Sequence, residues 1–280
     1  MQRGDVPSGW QLVLPVKGGS GAKSRLGLGV RAPHVALAMA LDCLEAVLAS
    51  PSVARVVVVT GDDDTHDAAS ALGADVVADP PTGGGLFAAV QVGLASVAGP
   101  AAVLLPDLPC LRPGDLTRGL AKVGEALAGG ASSVFIPDAD GVGTVLLAGP
   151  DPALLHPRFG GASAAAHEAG GATRLELDLP RLRRDVDTPD ALRQALQLRV
   201  GRRTAATLAI VQTTVLTFDP LSGAGTVVTD DGVEIDLAQE ALAGSGLRHL
   251  RPGQRVTCEL VPGPLGEDLV TSVRIVGIGD

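Results

Sequence analysis

Three cations crowd one short stretch of the chain. Lys17, Lys23 and Arg25 lie in L-V-L-P-V-K-G-G-S-G-A-K-S-R-L-G, residues 12–27, where a glycine-rich turn follows an apolar strand pattern. Glycine lets backbone N–H groups approach an oxyanion closely, and cations beside such a turn point to phosphate. Gly18 opens that turn. Two common phosphate cradles fail on spacing. A Walker A loop aligned on Lys23 puts Lys17 and Ala22 at its two glycine positions, and a dinucleotide G-x-G-x-x-G begun at Gly19 reaches Ser24 in place of its last glycine. Two readings stay open for the segment alone: a loop that wraps a polyphosphate, or a surface turn of solvated lysines.

The acidic residues supply the other half of a phosphate chemistry. Asp107 follows the apolar run A-A-V-L-L-P, residues 101–106, which puts it at the carboxyl edge of a strand, where open α/β sheets bind ligands. A carboxylate facing triphosphate oxygens there is a candidate Mg²⁺ ligand, because Mg²⁺ is usually held by one or two carboxylates plus phosphates and water. The competing role is a turn aspartate capping the helix after Pro113. Asp185 and Asp187, in R-R-D-V-D-T-P-D, could complete the metal shell, or could serve helix capping and pairing with Arg183 or Arg184. Asp62, Asp63 and Asp64 follow another strand end and read as a solvated turn and helix start.

Other chemistries find no support. His34, His66, His156, His167 and His249 show no H-E-x-x-H spacing, and Ser163 in G-A-S-A-A lacks the second glycine of a hydrolase elbow. His167 falls one helical turn after Ser163 and reads as a surface histidine, with a side chain that grazes a ligand held near Ser163 as the alternative.

The elements that must position these residues alternate. From residue 10 to about 200, β-rich apolar runs at 11–16, 55–60, 75–78, 101–105, 133–137, 144–148 and 174–178 are interleaved with helical patterns at 34–49, 64–72, 86–97, 113–128, 163–169 and 189–198. That alternation predicts an α/β fold with a mostly parallel sheet. The last helix has a clear start: Thr188 caps it, Pro189 fits its first turn and Asp190 suits its dipole. G-R-R-T-A-A-T, residues 201–207, reads as a linker. Beyond it, short strands broken by Gly, Pro and Asp turns predict a separate small barrel. The expected domains are 1–200 and 207–280.

Composition narrows the partners. The 280 residues carry a formal charge of −9, have no Tyr and are only 2% aromatic, so the core must come from Val, Leu, Ala and Ile. The negative charge argues against a general nucleic-acid or anionic-membrane binder, and an anionic ligand must be met by a local cationic pocket. Cys43, Cys110 and Cys258 are odd in number and widely separated, which predicts a reduced, cytoplasmic protein. Residues 1–10 lack the apolar core of a secretion signal, and no apolar run is long enough to span a bilayer.

Seven segments, read in order, carry a family resemblance: P-V-K-G-G-S-G-A-K-S-R-L, V-V-V-V-T-G-D, G-G-G-L-F-A-A-V-Q-V-G-L-A, L-L-P-D-L-P, D-G-V-G-T-V-L-L, H-P-R-F-G-G-A-S-A-A-A-H and D-V-D-T-P-D-A-L. The combination resembles the 2-phospho-L-lactate and phosphoenolpyruvate guanylyltransferases over about residues 10–200. The resemblance implies a GT-A-like nucleotidyltransferase fold and transfer of GMP from GTP to a phosphorylated three-carbon acid, most simply phosphoenolpyruvate, with release of pyrophosphate, in coenzyme F-420 biosynthesis. It also implies roles. Lys17, Lys23 and Arg25 would hold the GTP phosphates, Gly18, Gly84 and Gly85 the nucleotide, and Asp107, with Asp185 and Asp187, the Mg²⁺. Thr144, Gly160 and Ser163 would bind the carboxylate and phosphate of the acid. The family usually has Asn in a G-L-N-A-A run where this chain has Phe87. Molybdopterin or sugar-phosphate nucleotidyltransferases are the nearest alternatives, and G-V-G-T and F-G-G-A-S disfavour them. A phosphate monoester is largely dianionic at neutral pH, so it needs no protein base, which agrees with the lack of a candidate catalytic histidine.

Residues 214–277 resemble a cold-shock domain, a five-stranded OB-type barrel. Nucleic-acid binding in that family depends on stacking aromatics and a basic face. Here Thr217, Ala224, Thr226, Asp236 and Ala238 stand at the matching positions and only Phe218 is aromatic. From residue 205 on, 4 Arg and no Lys oppose 10 Asp plus Glu, a net −6. The expectation is a barrel that binds no nucleic acid and serves packing, homodimer contacts or docking of the next pathway enzyme. The remaining alternative of another class is a nucleic-acid-binding regulator built on that barrel.

Overall fold

A computed structural model describes residues 9–18, 23–26, 28, 32–80, 85–230, 232–243, 245, 247–262 and 268–275. The described residues form two compact units, the larger running to Thr204 and the smaller made of the residues from Ala205 on together with Leu28.

In the larger unit seven strands form one sheet: β1 (Trp10–Pro15), β2 (Val53–Thr60), β3 (Asp75–Ala78), β4 (Ala101–Leu104), β5 (Val134–Pro137), β6 (Thr144–Gly149) and β7 (Thr173–Arg174). Their order is β3-β2-β1-β4-β6-β5-β7. β1 pairs in parallel with β2 on one side and β4 on the other, β2 with β3 and β5 with β7, while β6 runs antiparallel between β4 and β5. The chain leaves β1 toward β2 on one side and reaches β4 on the other. The carboxyl ends of β1 and β4 therefore flank a topological switch point, the place where such sheets bind ligands.

The period-2 alternation of β1 divides the core. Leu12 and Leu14 face a layer built with Leu41, Leu44 and Val47 of α1 (Ala32–Leu48) and Leu116, Leu120 and Val123 of α4 (Pro113–Ala128). Val13 faces the other layer, with Ala89, Val90 and Leu94 of α3 (Gly85–Ala95) and Ala164 of α5 (Ser163–Ala169). Strands buried on both faces read as continuous apolar runs, which is why V-V-V-V and A-A-V-L were legible as strands. α2 (Asp63–Leu72), α6 (Pro180–Arg183) and α7 (Pro189–Gln197) complete the layers. Thr188 caps α7 by accepting from the Ala191 amide at 3.2 Å.

Two expectations need correction. The strand predicted at 174–178 is only the two residues of β7, because its ladder with β5 ends at Arg174, with Leu175 donating one further bond to the Phe135 carbonyl. Residues 201–207, read as a linker, are helical from Arg202 on: the boundary between the two units falls within α8 (Arg202–Ala209). Its free first-turn amides are taken by a distant acid, Asp42 on α1, which accepts from the backbone N–H of Arg203 at 3.0 Å and of Thr204 at 2.8 Å. Gly201 is required there, since a Cβ would lie 2.2 Å from the Asp42 Cγ.

The smaller unit is a closed barrel of β8 (Ile210–Phe218), β9 (Gly225–Thr229), β10 (Glu234–Leu237), β11 (Arg255–Pro262) and β12 (Asp268–Ile275), ordered β10-β12-β11-β8-β9. Its third and fifth strands are parallel and every other pair is antiparallel, so the five strands expected there close into a barrel. Val215, Val227, Ile235, Val256, Val270 and Val273 fill it. Among the described residues no helix is long and apolar enough to cross a membrane.

Candidate active site

β1 delivers the cationic loop to the carboxyl edge of the sheet. Lys17 leaves the strand exposed, and Gly18 passes so close to Asp62 that a Cβ would stand 2.3 Å from its Cβ and Cγ. Asp62 is not free to move, because it caps α2: its Oδ2 accepts from the Thr65 amide at 3.0 Å and from the Thr65 hydroxyl at 2.6 Å. This matches the solvated-turn reading of the Asp62–Asp64 triple. Lys23 follows in the left-handed region at φ 53° and heads the 3₁₀ turn Ser24–Leu26. Arg25, in that turn, is exposed.

Lys23 reaches across to the carboxylates. Its Nζ donates to Asp107 Oδ2 at 2.6 Å and also to Asp187 Oδ1. Burial opposes the ammonium charge, yet the fields and hydrogen bonds of Asp107 and Asp187 outweigh it, and the Lys23 pKa is raised. Asp107 does not cap α4, whose N-cap is Arg112 with no side-chain capping bond. Instead its backbone carbonyl accepts from the Val186 amide at 3.1 Å, which sets Asp185 and Asp187 on either side of that bond. Arg183 is spent on Glu176 and on the carbonyls of Pro137, Leu177 and Asp138, and Arg184 faces Asp140. Neither arginine pairs with Asp185 or Asp187 among the described contacts.

The three carboxylates present ligand oxygens within 4.8 Å of one another. Asp107 Oδ1 is buried with no hydrogen-bond partner, an orphaned acceptor of the kind a bound cation satisfies. Burial, then Asp107, Asp138 and Asp187, push the Asp185 carboxyl up to about 7. A hard oxygen-only donor set with excess negative charge fits a divalent cation such as Mg²⁺.

A second cluster gathers on β6 and α5. Thr144 begins β6 and Ser163 begins α5, and both are buried. Gly160, exposed with φ +107°, lies on the loop between them, a conformation that favours glycine. Thr144 Oγ1 is 2.9 Å from His167 Nδ1. Of the two readings of His167 the surface one is wrong: the residue is 1% exposed, enclosed by Phe135 and Phe159. Nothing local in the sequence marks it, because both rings lie on other segments. Asp138 was also missed. It is buried and accepts from the Val142 amide at 2.9 Å and the Gly143 amide at 2.7 Å. The turn signal in D-A-D-G-V-G-T was available for it.

The structure thus brings Lys23, Asp107, Asp185 and Asp187 together, and gathers Thr144, the Gly160 loop and Ser163 around one imidazole. Neither Lys17 nor Arg25 pairs with a carboxylate among the described residues. Gly85, at φ +60°, starts α3, and Gly84 lies outside the described residues. Phe87, in the first turn of α3, is 61% exposed.

A family model for the MobA-like NTP transferase domain matches residues 36–186. A protein of Salinispora arenicola named phosphoenolpyruvate guanylyltransferase is 50% identical over 200 residues, covering 70% of this chain and 92% of that protein. The chain belongs to the phosphoenolpyruvate guanylyltransferase family. A Streptomyces coelicolor member of the same name is 48% identical over 210 residues, covering 71% of this chain and 96% of its own. Among solved structures, a nucleotidyl transferase from Methanothermobacter thermautotroptrophicus is similar, with 19% identity, a TM-score of 0.49 and coverage of 69% of this chain and 98% of that one. As a member of the guanylyltransferase family this chain is a nucleotidyltransferase. The Salinispora match leaves 30% of the chain without a counterpart in that relative.

Proposed function

We propose that this chain transfers GMP from GTP to the phosphate of phosphoenolpyruvate and releases pyrophosphate, a step of coenzyme F-420 biosynthesis. The observation that carries the reading is the meeting of Lys23 with Asp107, Asp185 and Asp187 at the switch point of the sheet, in a chain 50% identical to a protein of that name. One bond forms, from a substrate phosphate oxygen to the α-phosphorus, and one breaks, from the α-phosphorus to the oxygen bridging to the β-phosphate. The attacking phosphate is already dianionic, so no proton has to be removed first.

The protein's own work is alignment and charge. Lys17, Lys23 and Arg25 hold the triphosphate, with Gly18, Gly84 and Gly85 giving the nucleotide close backbone approach. Asp107, Asp185 and Asp187 hold Mg²⁺. When bound, Mg²⁺ supplies positive charge against the α-phosphate and the departing pyrophosphate. Thr144, Gly160 and Ser163 take the acid. Lys23 answers two carboxylates in this structure, so part of its role is to keep that pocket neutralised until the nucleotide arrives.

Pyrophosphate release tests the reading directly, with GTP, ATP or CTP offered against phosphoenolpyruvate, 2-phospholactate and 3-phosphoglycerate. Release with GTP and phosphoenolpyruvate is expected, and no release with GTP and any acid would defeat it.

A further inference from the structure

The segments that the proposed reading gives to the acid substrate converge on His167. Its Nε2 lies 2.9 Å from the backbone nitrogen of Arg158, two residues before Gly160. A backbone N–H can only donate, so Nε2 is the bare, accepting nitrogen, and the one proton of the neutral ring sits on Nδ1. Nδ1 in turn is 2.9 Å from Thr144 Oγ1, and Ser163 lies one turn back along α5. The Thr144 hydroxyl is therefore the acceptor in that contact. Its own proton cannot point at the ring and is left for another acceptor. Burial holds the imidazole neutral, with its pKa lowered to about 4 and the nearby Arg158 charge a lesser cause. A protonated ring would set an Nε2–H against the Arg158 N–H and break the loop's anchor.

We propose that His167 is a positioning residue for the acid substrate: it ties the Gly160 loop, the start of β6 and the head of α5 into one arrangement, and it turns the Thr144 hydroxyl into a hydrogen-bond donor. A ligand group met by such a donor must be able to accept. A carboxylate or phosphate oxygen qualifies, and it gains from the fixed orientation because no rotor has to be ordered on binding. The inference rests on the guanylyltransferase reading and adds to it a residue whose described contacts include neither Lys23 nor the three carboxylates.

Two substitutions separate the two hydrogen bonds. His167→Asn keeps a donor near the Nδ1 position and removes the acceptor for the Arg158 amide, whereas His167→Gln keeps an acceptor near Nε2 and removes the donor to Thr144. Each is expected to raise the KM for phosphoenolpyruvate at least about tenfold, the order of one lost hydrogen bond to a charged ligand, while the KM for GTP stays within about twofold. Thr144→Val added to His167→Gln should cost little more, because the two act through the same bond. A merely structural histidine would give a lower melting temperature and a parallel rise in both KM values, which would overturn the proposal, as would an unchanged KM for the acid. Independently of turnover, ¹⁵N NMR of the labelled imidazole should find Nδ1 protonated and Nε2 bare, and the opposite tautomer would sink it. Wild-type protein that releases no pyrophosphate with GTP and any acid defeats the guanylyltransferase reading and this inference with it. Active wild type with unaltered variants defeats this inference alone.

Discussion

Aspartates of the barrel and aspartates of the sheet edge sit in opposite circumstances. In the barrel, Asp230 is met by the Arg255 guanidinium, and Asp219 by the Ser222 hydroxyl and the Leu221 amide, and these bonds hold both carboxyls below the usual range. At the sheet edge, Asp107, Asp185 and Asp187 face one another across less than 5 Å with Lys23 as the cation that answers them. Asp219 and Asp230 are satisfied by their own neighbours and ask for nothing further. Three carboxylates with one ammonium, one of their oxygens buried and unpartnered, leave a deficit of positive charge that a ligand cation would make up. The contrast distinguishes acids that serve the fold from acids held ready for a partner.

The sharpest way to break the contrast is Asp107→Asn, which keeps the shape and removes the charge. Turnover should fall about a thousandfold, the scale of losing several kcal/mol of charge stabilisation in the transition state. The melting temperature should change little, since relieved repulsion among the three acids offsets the weakened pairing with Lys23. Pyrophosphate release and thermal unfolding measure the two, and a variant retaining a tenth of wild-type turnover would place Asp107 outside the chemistry.

Asp185 gives a pH signature. Its carboxyl titrates near 7 in the folded protein, against 3.8 ordinarily, so between about pH 4 and 7 the folded chain holds a proton that the unfolded chain has lost. Stability without metal should therefore decline as pH rises through that window. Metal binding requires the ionised form, so Mg²⁺ affinity should increase through about pH 7 with release of a proton. Calorimetry in two buffers of different ionisation enthalpy would detect that proton, and Asp185→Asn should abolish its release and weaken Mg²⁺ binding roughly tenfold. Affinity that stays flat from pH 5.5 to 8 would remove Asp185 from the metal site.

What the sequence disclosed depended on how far each cause lies along the chain. Strands such as V-V-V-V were legible because burial on both faces leaves an unbroken apolar run, and Asp107 because it follows one. Helix α7 was legible because its cap, Thr188, is adjacent. Helix α8 was not, because its cap is Asp42, about 160 positions away. The grouping of Asp185 and Asp187 with Asp107 hangs on one backbone bond from Val186 to the Asp107 carbonyl, so spacing could nominate those acids without choosing between metal binding and capping. The burial of His167 was missed for the same reason: the rings that enclose it, Phe135 and Phe159, come from a strand and a loop, not from its own helix.

Gly18 tests how tightly the cationic loop is bound to the sheet edge. Adding a methyl group in Gly18→Ala would displace Asp62 and cost its cap on α2, about 1 kcal/mol, unless the loop itself moved away. Either response should show: a melting temperature lower by a few degrees, or a several-fold rise in the KM for GTP with kcat little changed. No effect on either would mean that the close approach does not position the loop.

The smallest effect belongs to the barrel's own ion pair. Arg255 donates to Asp230 and lies 3.3 Å from both Gln212 Oε1 and Thr214 Oγ1, all near solvent. Exposed pairs of this kind contribute less than about 1 kcal/mol, and high salt screens most of that. Arg255→Gln should therefore lower stability slightly at low salt, leave it unchanged at 1 M salt, and keep kcat/KM within about twofold. If the same substitution cut turnover tenfold, the barrel's charges would be acting on the reaction, and the division between acids that serve the fold and acids that serve a ligand would have to be redrawn.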